Sequence, residues 1–460
     1  MKPSQDLPFQ YQYMMHEKDF TRRDFIRKNS LAGMGALALG ALPGFTAHAD
    51  TPAYQLSGIK SLAGMSLQKL YDRYENELFN RFLPSMEKLS VDNEYGGFIC
   101  DAHLGTGKVI SYNKRTWYQG RGIWVYSFLY NKLKRDPRYL EIAEKAVDFV
   151  STLKRTEDKF FDTNYTREGN KMSDSGDIYG DLFVAEGLAE FSLAKGDPSY
   201  LKRAKGMIFY CLERYDRPDY VYDISYVPGR PRMEGPRNLG HWMIFLSLST
   251  QILSHSYDED FVKLANRCID AIMTKHMNPE FKLLNEAVNH DFSLPANEYR
   301  NFAVIGHGIE TLAFVMAEAV RRKDATLFRQ SEAAFKRHVA VAADKLYGGH
   351  FEILYNANTY SWAPSKSAWC QQEVSIGALL SLEHTGYRWA EECFNEGDAY
   401  MMDKMLRPEL PFWTFGGGRK VDVPNMTTIE HYHTPRYLMR NMLALKRIMG
   451  RKGKLSGLVS

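Results

Sequence analysis

The sequence predicts an all-α fold in which helical hairpins close into a ring, and three observations lead there. A short pattern repeats at Asp136-Pro137-Arg138-Tyr139-Leu140 with Ala143, at Asp197-Pro198-Ser199-Tyr200-Leu201 with Ala204, and at Asp258-Glu259-Asp260-Phe261-Val262 with Ala265, an offset of 61 residues each time. Further helical stretches lie between these copies, so one period holds a helical hairpin and a long loop. Strand signals are confined to short loop pieces, Gly96 to Ile99 and Gly348 to Ile353.

The elements follow in order. Leu67 to Phe82 opens the series, and Trp117 to Leu133 is the next helical stretch. Asp136 then has the N-cap chemistry that satisfies the first free amides of a helix, and Pro137 suits the first turn because its missing N–H would be unpaired there anyway. Asp177 to Lys195 precedes the copy at Asp197, and His241 to Leu253 precedes the copy at Asp258. Phe302 to Arg322 leads to a looser copy at Asp324, with Leu327 and Phe328. Ser367 to Glu383 leads to Gly386-Tyr387-Arg388-Trp389-Ala390, and a last helix follows Pro435. These make about twelve helices in six hairpins, none able to bury its apolar face alone. An open stack needs polar capping units at its ends. None is present, so a closed (α/α)6 barrel is the better solution, as a single domain.

The chain has 460 residues, 44% apolar and 25% charged, with a formal net charge of +4. That balance gives no basic surplus for nucleic acid. Residues 1–49 read as a targeting segment. Thr21-Arg22-Arg23-Asp24-Phe25-Ile26-Arg27-Lys28 has the twin-arginine export pattern, a small apolar stretch runs from Leu31 to Leu42, and Ala47-His48-Ala49 offers a small-x-small cleavage site. Such a stretch is too short to span a bilayer of about 30 Å as a helix. Residues 50–460 are then expected to be one catalytic domain working outside the cytoplasm, with the twin-arginine machinery as its export partner. The five cysteines are scattered and form no C-x-x-C pair, which points to buried free thiols.

Two histidine segments carry the chemistry, Gly306-His307-Gly308-Ile309-Glu310 and His431-Tyr432-His433-Thr434-Pro435-Arg436. Imidazoles titrate near neutral pH, so two of them facing each other across a pocket can take a proton from one face of a carbon and return one to the other. No metal or cofactor is needed for that, and the chain has no P-loop, H-E-x-x-H or Gly-rich dinucleotide turn. Glu310 lies one helical turn after His307 and is placed to orient its ring. Aromatic residues are 13% of the chain. Trp117, Trp369 and Trp413 stand at helix starts or in loops, where they suit the C–H faces of a sugar, whereas Trp124 and Trp389 read as core.

Asn93-Glu94-Tyr95-Gly96-Gly97-Phe98, followed by Lys114-Arg115-Thr116-Trp117-Tyr118-Gln119-Gly120-Arg121-Gly122-Ile123-Trp124, resembles the N-terminal signature of the N-acylglucosamine 2-epimerase family. Ile305 to Glu310, Trp369-Cys370-Gln371-Gln372-Glu373 and Tyr432 to Arg436 are similar to three further family motifs, in the family's order. The resemblance implies an (α/α)6 barrel and interconversion of a reducing sugar at C2, as a 2-epimerase or an aldose–ketose isomerase. It also implies that His307 and His433 are the acid/base pair, with Glu310 and Glu373 as the carboxylates that hold the site. Arg121 matches the family's substrate-binding arginine, and Trp117, Gln119, Trp369 and Arg436 are expected beside it. Asp181 stands where the family's epimerases often carry histidine, and is expected to meet substrate hydroxyls. The rival reading is a six-hairpin glycoside hydrolase using Asp181 with Glu373 or Glu310 as a carboxylate pair.

Overall fold

The computed structural model describes residues 55–153, 160–172, 176–222, 236–414, 416–418 and 427–459. The targeting segment, residues 1–49, and its cleavage site lie outside the described residues. Residues Ala49–Ser460 cluster as one compact unit.

Helices alternate between an outer and an inner layer. The outer ones are α1 (Leu67–Asn76), α3 (Pro137–Thr152), α5 (Pro198–Asp216), α7 (Glu259–Asp270), α9 (Ala325–Ala342) and α11 (Arg388–Lys404). The inner ones are α2 (Thr116–Phe128), α4 (Ile178–Lys195), α6 (Leu239–Leu253), α8 (Ile305–Arg322), α10 (Ala368–Thr385) and α12 (His433–Gly450). Helix α1 continues through a wide-turn segment, Glu77–Phe82, into Leu83–Leu89. The aspartates read as caps do cap: Asp136, Asp197, Asp258 and Asp324 accept backbone N–H bonds at the starts of α3, α5, α7 and α9.

Sequence chemistry sorts the layers. Outer helices bury one stripe, such as Phe261, Leu264, Ala265 and Cys268 on α7. Inner helices are buried on nearly every face, as α4 is from Ile178 through Ser192. A helix apolar all round is stable only when wrapped by others, which puts these segments inside. Helices α2 and α4 meet backbone to backbone, since a Cβ on Gly120 would lie 2.2 Å from the Phe183 carbonyl carbon and one on Gly187 would lie 2.6 Å from the Gly120 oxygen. The ring closes where α12 returns to α2: the Arg440 guanidinium lies 4.9 Å from the Phe128 ring centre, and Tyr432 packs edge-on against Trp124 at 5.4 Å. One apolar core runs from Ile59 to Val459.

Short ladders crown one end of the ring. Lys114–Arg115 pairs with Asn164–Tyr165, Arg237–Asn238 with Ala287–Val288, Ala303–Val304 with Ile353–Leu354, and Lys366–Ser367 with Gly416–Gly417. In each pair the first strand runs directly into an inner helix. The N-termini of the inner helices therefore lie at the crowned end, and the loops that link the hairpins are tied down around them. No helix among the described residues is long and apolar enough to cross a membrane.

Candidate active site

A cavity of about 640 Å³ opens at the crowned end, a volume within the range of roughly 300–1,000 Å³ usual for small-molecule sites. Its walls come from the first turns of inner helices: Trp117 and Arg121 on α2, Tyr179 and Phe183 on α4, His307 and Glu310 on α8, Trp369 on α10, and His433 on α12.

Each histidine has its own carboxylate. His307 Nδ1 lies 3.0 Å from Glu286 Oε1, and His433 Nδ1 lies 3.0 Å from Glu430 Oε1. A carboxylate accepts, so in both neutral rings Nδ1 carries the proton and Nε2 carries the basic lone pair. Glu286 is anchored by its backbone, with its N–H donating to Phe302 O and its carbonyl accepting from Leu239 N at the start of α6. Glu430 also caps α12, accepting the backbone N–H of His433 at 2.8 Å and of Thr434 at 3.2 Å. Burial opposes ionisation of Glu430, but His433, these hydrogen bonds and Arg121 bring its pKa down to about 2. Burial likewise disfavours a charged His307, yet Glu286, with Glu310 and Glu352 nearby, leaves its pKa raised. The Trp369 ring packs against both imidazoles, its centre 5.6 Å from each. Arg121 is held by three aromatic rings, 4.2 Å from the centre of Phe183, 4.6 Å from Tyr432 and 5.0 Å from Trp117.

The wall thus brings together His307, His433, Glu310, Arg121, Trp117 and Trp369. The structure places the other expected residues, and His431, off the cavity wall. Gln119 lies beneath the wall, accepting the Phe98 N–H at 2.7 Å and donating to Phe98 O at 2.9 Å, so it clamps the Gly96-Gly97 turn instead of facing the cavity. Asp181 is fully buried and accepts the Phe161 N–H at 2.8 Å, which fixes the loop whose residues Phe161 to Asn164 form a wall. Arg436 and Glu373 form a buried ion pair behind the histidines. Burial pushes the Glu373 carboxyl up, and the Arg436 guanidinium opposes it. Trp413 packs outside the cavity, its indole N–H donating to Glu77 at 2.6 Å. His431 is turned away and bonds Tyr118 O at 2.9 Å. The carboxylate that orients His307 is Glu286, not Glu310.

Ligand atoms of Glu310, Glu373 and His433 lie within 4.8 Å of one another, a spacing that would admit a cation. Glu373 is already neutralised by Arg436, so the group is better described as an ion-pair network reaching up to the cavity.

Sequence reasoning passed over Glu286, Glu352 and Glu430. Glu430 had a signal, standing three residues before His433. It also passed over an internal duplication, Lys114-x-x-Trp117-x-Gln119 and Lys366-x-x-Trp369-x-Gln371. The copies have the same architecture: Lys114 pairs with Asp92 at 3.0 Å and Lys366 with Asp344 at 2.9 Å, while Gln371 clamps His350 as Gln119 clamps Phe98. Each copy presents one tryptophan to the cavity.

Comparison with known proteins gives the family and the fold. The model of the N-acylglucosamine 2-epimerase (GlcNAc 2-epimerase) family matches residues 96–433. The chain belongs to this family of carbohydrate epimerases and isomerases. It is 23% identical to bovine (Bos taurus) N-acylglucosamine 2-epimerase over 414 residues, covering 85% of this chain and 95% of that protein. With the mouse (Mus musculus) N-acylglucosamine 2-epimerase it is 26% identical over 277 residues, 57% of this chain and 62% of that one. Among solved structures, the cellobiose 2-epimerase of Spirochaeta thermophila superposes with a TM-score of 0.71 at 18% identity, covering 83% of this chain and 98% of that one. A D-mannose isomerase does so with a TM-score of 0.65 at 14% identity, covering 83% and 97%. At such identities these two structures bear on the fold alone, and the fold is the six-hairpin toroid.

Proposed function

We propose that this chain is a cofactor-independent sugar 2-epimerase or aldose–ketose isomerase that moves a proton at C2 of a reducing sugar between His307 and His433. The observation that carries this reading is the pairing of each imidazole with a carboxylate on Nδ1, both rings lining one cavity with Trp369 packed against them. An open-chain sugar has an acidic C2–H beside its carbonyl. One neutral imidazole removes that proton, the C–H electrons form the C1=C2 bond, and the carbonyl π electrons move to oxygen, giving an enediolate. Protonation of C2 from the opposite face by the other histidine, which starts as imidazolium and ends neutral, inverts the centre, whereas protonation of C1 gives a ketose. Both routes are redox-neutral. The enediolate is stabilised by Arg121 and by the inner-helix N-termini, whose dipoles direct positive charge at the cavity. Trp117 and Trp369 supply faces for the C–H side of a pyranose.

Of the carboxylates the hydrolase reading invokes, Glu310 lines the cavity, whereas Asp181 and Glu373 are buried off it, which favours the epimerase or isomerase reading. The deciding experiment is proton NMR of residues 50–460 with a panel of reducing sugars in D2O. Loss of the C2–H signal with a new epimer or ketose, abolished in His307→Ala and His433→Ala, is expected. Release of new reducing ends from oligosaccharides without C2 exchange would replace it with hydrolysis. We further propose that the protein acts outside the cytoplasm, so that Arg22→Lys with Arg23→Lys retains it inside when cell fractions are compared.

A further inference from the structure

The loop after Gly348-Gly349 puts a carboxyl group on the cavity wall that neither histidine pair uses. Glu352 lines the cavity, and its backbone oxygen accepts the Gly306 N–H at 3.1 Å, which ties it to the turn carrying His307. The next residues of the two strands are paired, Ile353 with Val304, so the position is fixed by the ladder. Its carboxyl shares that wall with His307, His433 and Trp369. One carboxyl group therefore stands at the cavity with both imidazoles and with the tryptophan packed against them.

We infer that Glu352 is the oxygen-side acid of the reaction, donating its proton to the sugar oxygen at C1 while a histidine works at carbon. The inference rests on the two-histidine reading above. Its step balances: the imidazole takes the C2 proton, the C–H pair becomes the C1=C2 bond, the C1=O pair goes to oxygen, and Glu352 gives its proton to that oxygen and becomes carboxylate. Reversal of the step after C2 is reprotonated restores the acid. Burial holds the Glu352 carboxyl above the usual range, against the opposing pull of its hydrogen bonds and of His307 and His433, which suits a carboxylic acid that must keep its proton until the oxygen needs it. The charged and titratable groups facing this region are His307 and Glu310 from α8, Cys370 and Glu373 from α10, and His433 with Glu430 at α12. An acid here suits a substrate whose oxygens are neutral hydroxyls and a carbonyl.

The test compares wild type with Glu352→Gln and Glu352→Asp, using the sugar that gives C2–H exchange in D2O. Exchange in the wild type, lost in His307→Ala, must be seen first; its absence for every sugar sinks the two-histidine reading itself and with it this one. Given exchange, Glu352→Gln is expected to lower kcat by about 10²-fold with KM within about threefold, because the amide binds oxygen but cannot give up a proton. It also removes one alkaline limb of the kcat–pH profile, and Glu352→Asp restores that limb. A Glu352→Gln enzyme with an unchanged thermal melt, wild-type kcat and the same alkaline limb overturns the assignment. So does a loss carried entirely by KM, which would make Glu352 a substrate-holding group.

Discussion

Glu286→Gln isolates what a carboxylate contributes to His307. With Nδ1 and Oε1 3.0 Å apart, the charge centres are roughly 4 Å apart, where two unit charges interact by about 4 kcal/mol at an effective dielectric near 20. The glutamine oxygen still accepts the Nδ1–H, and Glu310 and Glu352 still favour the charged ring, so the His307 pKa is expected to fall by part of that interaction. The sign follows from the direction of the native shift. A histidine raised above its unfolded value near 6.5 contributes stability that is fully present below that pH and is lost as pH rises through the folded value. The difference in melting temperature between wild type and Glu286→Gln is therefore greatest below about pH 6.5 and shrinks above it. In catalysis, whichever limb of the kcat/KM–pH profile His307 controls moves to lower pH, and kcat falls by about 10²-fold, the low end for a positioned acid–base group. The assays are C2 deuterium exchange across pH and NMR titration of the His307 ring. An unmoved limb, with kcat within about threefold of wild type, would refute the carboxylate–imidazole reasoning.

Two further substitutions test the groups behind the wall. Arg436→Met strands the Glu373 carboxylate and should cost about 3–5 kcal/mol in urea unfolding, while adding Glu373→Leu recovers most of that; additive losses would show that the pair is not energetically coupled. Gln119→Ala leaves the Phe98 N–H and C=O without their buried partner and should destabilise by about 2 kcal/mol while leaving the limbs of the pH profile in place; a shifted limb would return Gln119 to the chemistry.

The hairpin repeat was legible because capping is local chemistry. An aspartate placed before a helix must satisfy amides two or three residues on, and Asp136, Asp197, Asp258 and Asp324 all do so. The two histidines of the cavity wall were legible because each sits in a dense local motif. Burial was not: Gln119, Asp181, Glu373 and Arg436 lie near the starts of the same inner helices as Trp117, Phe183, Trp369 and His433, and only the rotation of each helix in the ring decides which side chain meets the cavity. Glu286 was hidden for a related reason, since it reaches His307 from 21 residues upstream through a ladder of two-residue strands too short to leave a period in the sequence. The duplicated Lys-x-x-Trp-x-Gln segments were visible as letters. What the letters lacked was the division of labour within them, in which lysine and glutamine clamp a Gly-Gly turn and tryptophan alone faces the cavity.

That division shows how a toroid of repeated hairpins acquires one asymmetric site. The ring supplies what is common to every hairpin: an inner helix whose N-terminus, the positive end of its dipole, points at the crowned cavity. A developing enediolate gains from that field wherever it lies among the helix starts, so the repeat alone gives anion stabilisation without selecting a carbon. Selection comes from residues that break the repeat. His307 and His433 stand on α8 and α12, two hairpins apart, with Trp369 of the intervening α10 packed against both. Alternation around the ring thus packs one aromatic side chain against both imidazoles. In the proposed mechanism a proton leaves one side of a carbon and returns from the other only when α12 has come round against α2, because His433 owes its position to that closure. Closure of the barrel is then a condition for that chemistry as well as for the fold.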